Sequence, residues 1–109
     1  MRRAAAVDRN QAEIVAAFRV LGCSVRTTHQ VGRGFPDIAV GVSGRTYLVE
    51  IKDGSLSPSR RKLTPDEDAF IENWRGHVCI VETVDDVTRL VEEWRNDSTV
   101  KIPMKGTIS

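Results

Sequence analysis

The stretch GFPDIAVGVSGRTYLVEIKDG, residues 34 to 54, constrains this chain more than any other. Two apolar runs, 37 to 42 and 45 to 52, flank the turn-former pair Ser43-Gly44 and read as a β-hairpin. With a two-residue turn Val42 faces Arg45, and the ladder carried outward sets Asp37 opposite Glu50. Residues facing each other across an antiparallel pair share one side of the sheet, with Cβ atoms about 4.5–5.5 Å apart, so two carboxylates there repel. Lys52 lies on the Glu50 side because strand side chains alternate, while Ile38, Val49 and Ile51 point the other way. The hairpin therefore carries a charged triplet among residues that otherwise read as central, two-face-buried strands.

The flanking segments say what the hairpin packs against. Ile14, Val15, Phe18 and Leu21 recur at helical spacing from Asp8 onward, and Gly22 stops that helix. Residues 23 to 28 read as a short strand, and 29 to 36 as a loop with Gly32, Gly34 and Pro36. Asp53 to Thr64 is polar and Ser-rich, and reads as the mobile segment of the chain. Thr64, Pro65 and Glu67 then spell an N-cap, a first-turn proline and a capping-box glutamate, opening a helix that runs to Gly76. A strand over 77 to 82 and a helix marked by Val84, Val87, Leu90, Val91 and Trp94 complete the periodic part. The expected fold is α/β, a mixed sheet of about four strands flanked by helices in the order α-β-β-β-α-β-α. Residues 1 to 94 form the domain and 95 to 109 a tail.

A chain of 109 residues supports one packed core and not two. Its sixteen Lys and Arg against fifteen Asp and Glu exclude a global positive field, so any nucleic-acid contact must rest on a local basic surface. Cys23 and Cys79 sit in apolar runs with no partner at metal-ligand spacing and read as reduced core residues. Asp8 and Arg9 cut short the apolar run after Arg2 and Arg3, which leaves no secretory signal, and no stretch reaches the roughly 20 apolar residues of a membrane span. The expectation is a soluble, cytoplasmic protein.

The triplet has a bland reading and a chemical one. As a surface ion-paired cluster it contributes only about 0–1 kcal/mol. Charges on buried strands cost more than that, and a compensating purpose is a shared hard divalent cation, Mg²⁺ or Mn²⁺, held by the carboxylates of Asp37 and Glu50. Such an ion activates water and holds a phosphate oxygen, and Lys52 supplies a fixed positive charge for the phosphoryl group.

Pro36-Asp37, twelve intervening residues, then Glu50-Ile51-Lys52 resembles the signature of the PD-(D/E)XK nuclease superfamily, which includes restriction endonucleases and archaeal-type Holliday junction resolvases. The element order is similar to that superfamily's core from about Asp8 to Trp94. The Gly-Phe-Pro-Asp approach and the Leu-Ser-Pro after the lysine look most like the small VRR-NUC-type nucleases often found in phages. The resemblance implies a restriction-endonuclease-like domain, Asp37 and Glu50 as metal ligands with the Ile51 carbonyl as a further one, and a catalytic Lys52. It also implies a phage or bacterial setting. Resolvase-like relatives act as dimers, so a homodimer is admitted, although no seam in the sequence marks an interface.

That pattern usually adds an acid from the first helix. On a wheel of about 100° per residue with Gln11 at zero, Val15, Phe18 and Ile14 fall within about 60° and Glu13 near 200°. Gln11 therefore faces the sheet, with Asp8 on the same side one turn earlier. Gln11 is the favoured site-facing residue, and Asp8 or Glu13 are the alternatives.

For phosphate contact the candidates are Arg33 in the Gly-rich loop and Arg60, Arg61 and Lys62 after the metal strand. Phe18, Phe70, Trp74 and Trp94 lie on helical apolar stripes and read as core rather than as base-stacking platforms. The expected activity is metal-dependent hydrolysis of DNA phosphodiesters, selective for junctions, flaps or ends because little chain is left for base reading. The alternative is a catalytically inactive module of the same fold that binds DNA or a protein partner.

Overall fold

The computed structural model describes residues 9–97. Its elements run α1 (Gln11–Val20), β1 (Ser24–Thr27), β2 (Ile38–Val42), β3 (Arg45–Ile51), α2 (Pro65–Asn73), β4 (Val78–Val81) and α3 (Val84–Asn96), with one-turn 3₁₀ segments at His29–Val31 and Pro58–Arg61. This is the expected α-β-β-β-α-β-α order. α3 extends two residues beyond the anticipated domain end, and Asp8 and most of the anticipated tail lie outside the described residues.

The four strands form one sheet in the order β1-β2-β3-β4. β1, β2 and β3 are antiparallel neighbours, and β4 joins β3 in parallel after the α2 crossover. The hairpin has the register read from the sequence, from Val42 opposite Arg45 to Ile38 opposite Val49. Ser43 and Gly44 both take positive φ, 55° and 76°, the geometry of a two-residue hairpin turn whose twist matches that of the strands.

One face of the sheet carries the core. Val25, Ile38, Val40, Tyr47, Val49, Ile51 and Val81 meet Ile14 and Phe18 of α1 and Val87, Val91 and Trp94 of α3. The Trp94 ring stacks on Tyr47 at 3.9 Å and on Phe18 at 6.0 Å between centroids, so the expectation of packed rings holds for Phe18 and Trp94. Arg95 closes the contact between the two helices by donating to the Leu21 carbonyl. Cys23 is buried and Cys79 half-buried, both as free thiols, and burial pushes the Cys79 thiol up to about 12.

α2 departs from the expectation. None of its residues is fully buried, and Phe70 and Trp74 leave the core for a separate cluster with Phe35, in which Phe70 stacks on Trp74 at 5.0 Å and Phe35 meets Phe70 edge-on at 5.1 Å. Trp74 remains 42% exposed. The physical reason is that α1 and α3 already cover the apolar face, so α2 is left to lie against the loop before β2. There Gly34, at φ +79°, comes so close to the Asp66 backbone that a Cβ would sit 2.3 Å from its carbonyl oxygen. No helix among the described residues is long and apolar enough to cross a membrane.

Candidate functional site

The triplet converges at the C-terminal end of β3, where the hairpin, α2 and the start of α1 meet. Burial on both faces is complete over the last five residues of this strand, from Tyr47 to Ile51, as expected for a central strand. Glu50 lies within that run at 3% exposure. β2 is buried on one face only, with Ala39 and Gly41 half-covered on the other.

Asp37 is placed differently from the simple ladder. Instead of extending the pairing to Glu50, the Asp37 N–H donates to the Val49 carbonyl at 3.0 Å, so that residues 37 and 38 both oppose Val49. The carboxylate then turns to accept the Ile51 N–H at 2.7 Å. Two causes act here: Pro36 before it is buried and has no N–H to continue a ladder, and the turn gives the charge a donor instead of a directly opposed carboxylate. Asp37 and Glu50 remain close enough for their charges to interact.

Lys52 points its Nζ between two acids, 3.7 Å from Glu50 Oε2 and 2.7 Å from Glu67 Oε1. Glu67 was legible only as a capping-box residue, and it does cap: its Oε1 accepts the Thr64 N–H at 2.9 Å while its own N–H donates to Thr64 Oγ1 at 3.1 Å. Nothing local in the sequence marks its second contact, because it lies fifteen residues after Lys52, across a loop whose path is tertiary.

The electrostatics follow from burial. Loss of hydration, reinforced by the charges of Asp37 and Glu67 and opposed by Lys52, pushes the Glu50 carboxyl up to about 9. It therefore keeps its proton at neutral pH and shares a hydrogen bond with Glu67. Burial also raises Glu67, but hydrogen bonds from Lys52, the Thr64 backbone and Glu50 outweigh it and hold that carboxyl below its usual range.

α1 presents Gln11 inward, as the helical wheel requires, and leaves Glu13 exposed. The Gln11 Oε1 is buried without a hydrogen-bond partner among the described residues. Its neighbour Asn10 ties this end of α1 to the site by donating to the carbonyls of Lys52 and Glu82, each at 3.1 Å. A groove of about 760 Å³ runs along α1 past Gln11, Ala12, Val15, Ala16 and Thr27 rather than through the carboxylate cluster.

The basic candidates divide. Arg33, Arg60 and Lys62 are exposed, Arg33 with a left-handed φ of 57° between two glycines. Arg61 is half-buried and engaged, its guanidinium donating to the Leu56 carbonyl at 2.9 Å and to Glu82 at 2.8 Å. These contacts hold the Arg61 side chain against its own loop and Glu82. The segment from 53 to 64, expected as the mobile part of the chain, carries contacts at both ends: Asp53 accepts from the backbone and hydroxyl of Ser55 and pairs with Arg9, and Arg61 holds the other end. The Ser55 hydrogen bonds hold the Asp53 carboxyl below its usual range.

The donor chemistry fits a hard divalent cation. The carboxylates of Asp37 and Glu50 are hard oxygen donors, and Glu50 is raised first by burial and then by the neighbouring acids Asp37 and Glu67, a charge imbalance that a cation would relieve. Among the described residues, however, no three His, Cys, Asp or Glu side chains are gathered as a ready-made metal cage. Comparison with protein-family models, with curated proteins and with solved structures returns no match for this chain.

Proposed function

We propose that this protein is a metal-dependent nuclease that hydrolyses DNA phosphodiesters, with Asp37 and Glu50 as ligands of Mg²⁺ or Mn²⁺ and Lys52 as the catalytic cation. The observation that carries this reading is Glu50: a carboxyl at 3% exposure, beside a second acid and a lysine, on a strand otherwise built of core residues. A protein gains nothing in stability from such a group, since a hydrophobic residue of similar size serves the strand as well or better. The similarity of Pro36-Asp37 and Glu50-Ile51-Lys52 to the PD-(D/E)XK signature points the same way.

The chemistry that a bound ion supplies is Lewis-acid polarisation of a phosphate oxygen and neutralisation of its charge. The chain's own residues do the rest. Asp37, oriented by the Ile51 N–H, presents a fixed carboxylate, and Glu50 joins it by releasing the proton that burial has made it keep. The Ile51 carbonyl and Gln11 Oε1 are the further oxygens in this reading. Lys52 faces negative charge developing on the phosphoryl group from a site already low in water, where a fixed charge acts most strongly. Arg33, Arg60 and Lys62 are the exposed cations available to the DNA backbone. A preference for junctions, flaps or ends is part of the same proposal.

Gln11 in place of an inward acid, and the lack of a closed carboxylate cage among the described residues, favour one competing reading: an inactive module that binds DNA or a protein. Cleavage of duplex, flap and four-way-junction DNA with and without Mg²⁺ separates the two. The nuclease reading expects Mg²⁺-dependent cleavage that falls at least ~100-fold in Lys52→Ala and Asp37→Asn. DNA binding with no cleavage by the wild type, or equal cleavage by the variants, would overturn it.

A further inference from the structure

We propose that Glu67 of α2 is a positioning residue for this site, holding the Lys52 ammonium against Glu50 and so coupling the seating of a peripheral helix to the reactive strand. The inference rests on the nuclease reading for its catalytic consequence, but the contact itself does not.

Three observations carry it. The Lys52 Nζ lies 2.7 Å from Glu67 Oε1 and 3.7 Å from Glu50 Oε2, so the shorter and better-formed pair is the one made with α2 and not with the neighbouring strand residue. Glu67 is itself held rigidly, because the same Oε1 accepts the Thr64 N–H in a complete capping box that opens the helix. The lysine is only 12% exposed and Glu67 19%, so water screens the pair far less than a surface ion pair.

A flexible four-carbon side chain at the edge of a site loses much rotamer freedom when it is aimed at one point. Glu67 supplies the restraint, and its position depends on how α2 sits. That seating relies on the Phe35–Phe70–Trp74 rings and on the close approach of Gly34 to Asp66, not on burial in the main core. A polynucleotide that shifts the loop around Gly34 thus acts on the aim of Lys52 through Glu67. Both capping and aiming converge on one carboxylate oxygen, which allows the two roles to be separated by substitution.

Glu67→Gln keeps an acceptor for the Thr64 N–H and removes the charge offered to Lys52. Thr64→Val removes the cap hydroxyl and leaves Glu67 in place. Under Mg²⁺-dependent cleavage conditions, Glu67→Gln is expected to lower kcat about tenfold or more with KM within about twofold, while Thr64→Val, which keeps both the Thr64 N–H and the Glu67 charge, loses less than about threefold. Equal kcat in Glu67→Gln and wild type, or an equal loss in Thr64→Val, overturns the proposal. If the wild type cleaves nothing, the nuclease reading fails, and thermal unfolding then decides the pair. The Tm loss from Glu67→Gln, roughly 2–4 °C, is expected to shrink below about 1 °C in a Lys52→Met background. Additive losses would show that the two side chains do not act on each other.

Discussion

The two sides of the sheet are held in different ways. On one, α1 and α3 press Ile14, Phe18, Val87, Val91 and Trp94 onto the strands, and the Phe18, Trp94 and Tyr47 rings stack within a continuous core. On the other, α2 buries no residue fully and is held by three partly exposed rings, one tight glycine contact and the Lys52–Glu67 pair. Core packing of the first kind is stable but unresponsive. The second kind is weaker and polar, and it touches Glu50 and Lys52, so this molecule places its charged site against its least firmly seated helix.

That contrast can be broken most sharply with matched truncations. Phe18→Ala should cost about 3–5 kcal/mol in urea unfolding, because it empties a fully enclosed position and removes a stacking partner of Trp94. Phe70→Ala should cost only about 1–2 kcal/mol, with faster amide exchange confined to α2 and the loop at Gly34. Equal costs, or exchange that spreads over the whole sheet, would show that α2 belongs to the same cooperative core.

A smaller effect tests the electrostatics of the α2 side. With no divalent cation present, Glu50 keeps its proton in the folded protein up to about 9 and loses it in the unfolded chain in the ordinary carboxyl range. Between those limits the unfolded state binds fewer protons than the native state, so stability must fall as pH rises. Glu50→Gln removes that dependence. The variant should match wild type near pH 4 and exceed it by at least about 1 kcal/mol at pH 8, measured as Tm in the presence of a chelator. A Tm difference that does not grow with pH would mean that Glu50 is not held neutral.

The smallest expected change belongs to the loop between β3 and α2. Arg61→Ala should cost about 0.5–1 kcal/mol through loss of the half-exposed Glu82 pair and the Leu56 hydrogen bond. Arg60→Ala, an exposed neighbour, should leave unfolding unchanged. If the two variants are indistinguishable in denaturant, the loop is not tethered by Arg61.

How much of this was legible can be followed residue by residue. The hairpin register, the inward faces of Ile38, Val49 and Ile51, the inward Gln11 and the capping box at Thr64 are all consequences of short-range rules. Strand alternation, helical period and turn chemistry operate over a few positions and survive into the fold. The arrangement at Asp37 was half legible: its proximity to Glu50 follows from the register, whereas its turn onto the Ile51 N–H arises from the competition between like-charge repulsion and an available donor. The exposure of Trp74 was not legible, since an apolar stripe says that a helix wants cover and not whether the sheet has any left to offer.

By itself, then, the sequence determined the order of the elements, the hairpin and the convergence of two acids and a lysine at one strand end. These depend on local periodicity, which neighbouring residues alone impose. Only the tertiary structure decided that Glu67 completes the cluster, that Arg61 serves the loop, and that α2 stands outside the core. Each of those outcomes is a contact between segments far apart in the chain, and such contacts are settled by competition for a limited buried surface that no local pattern records.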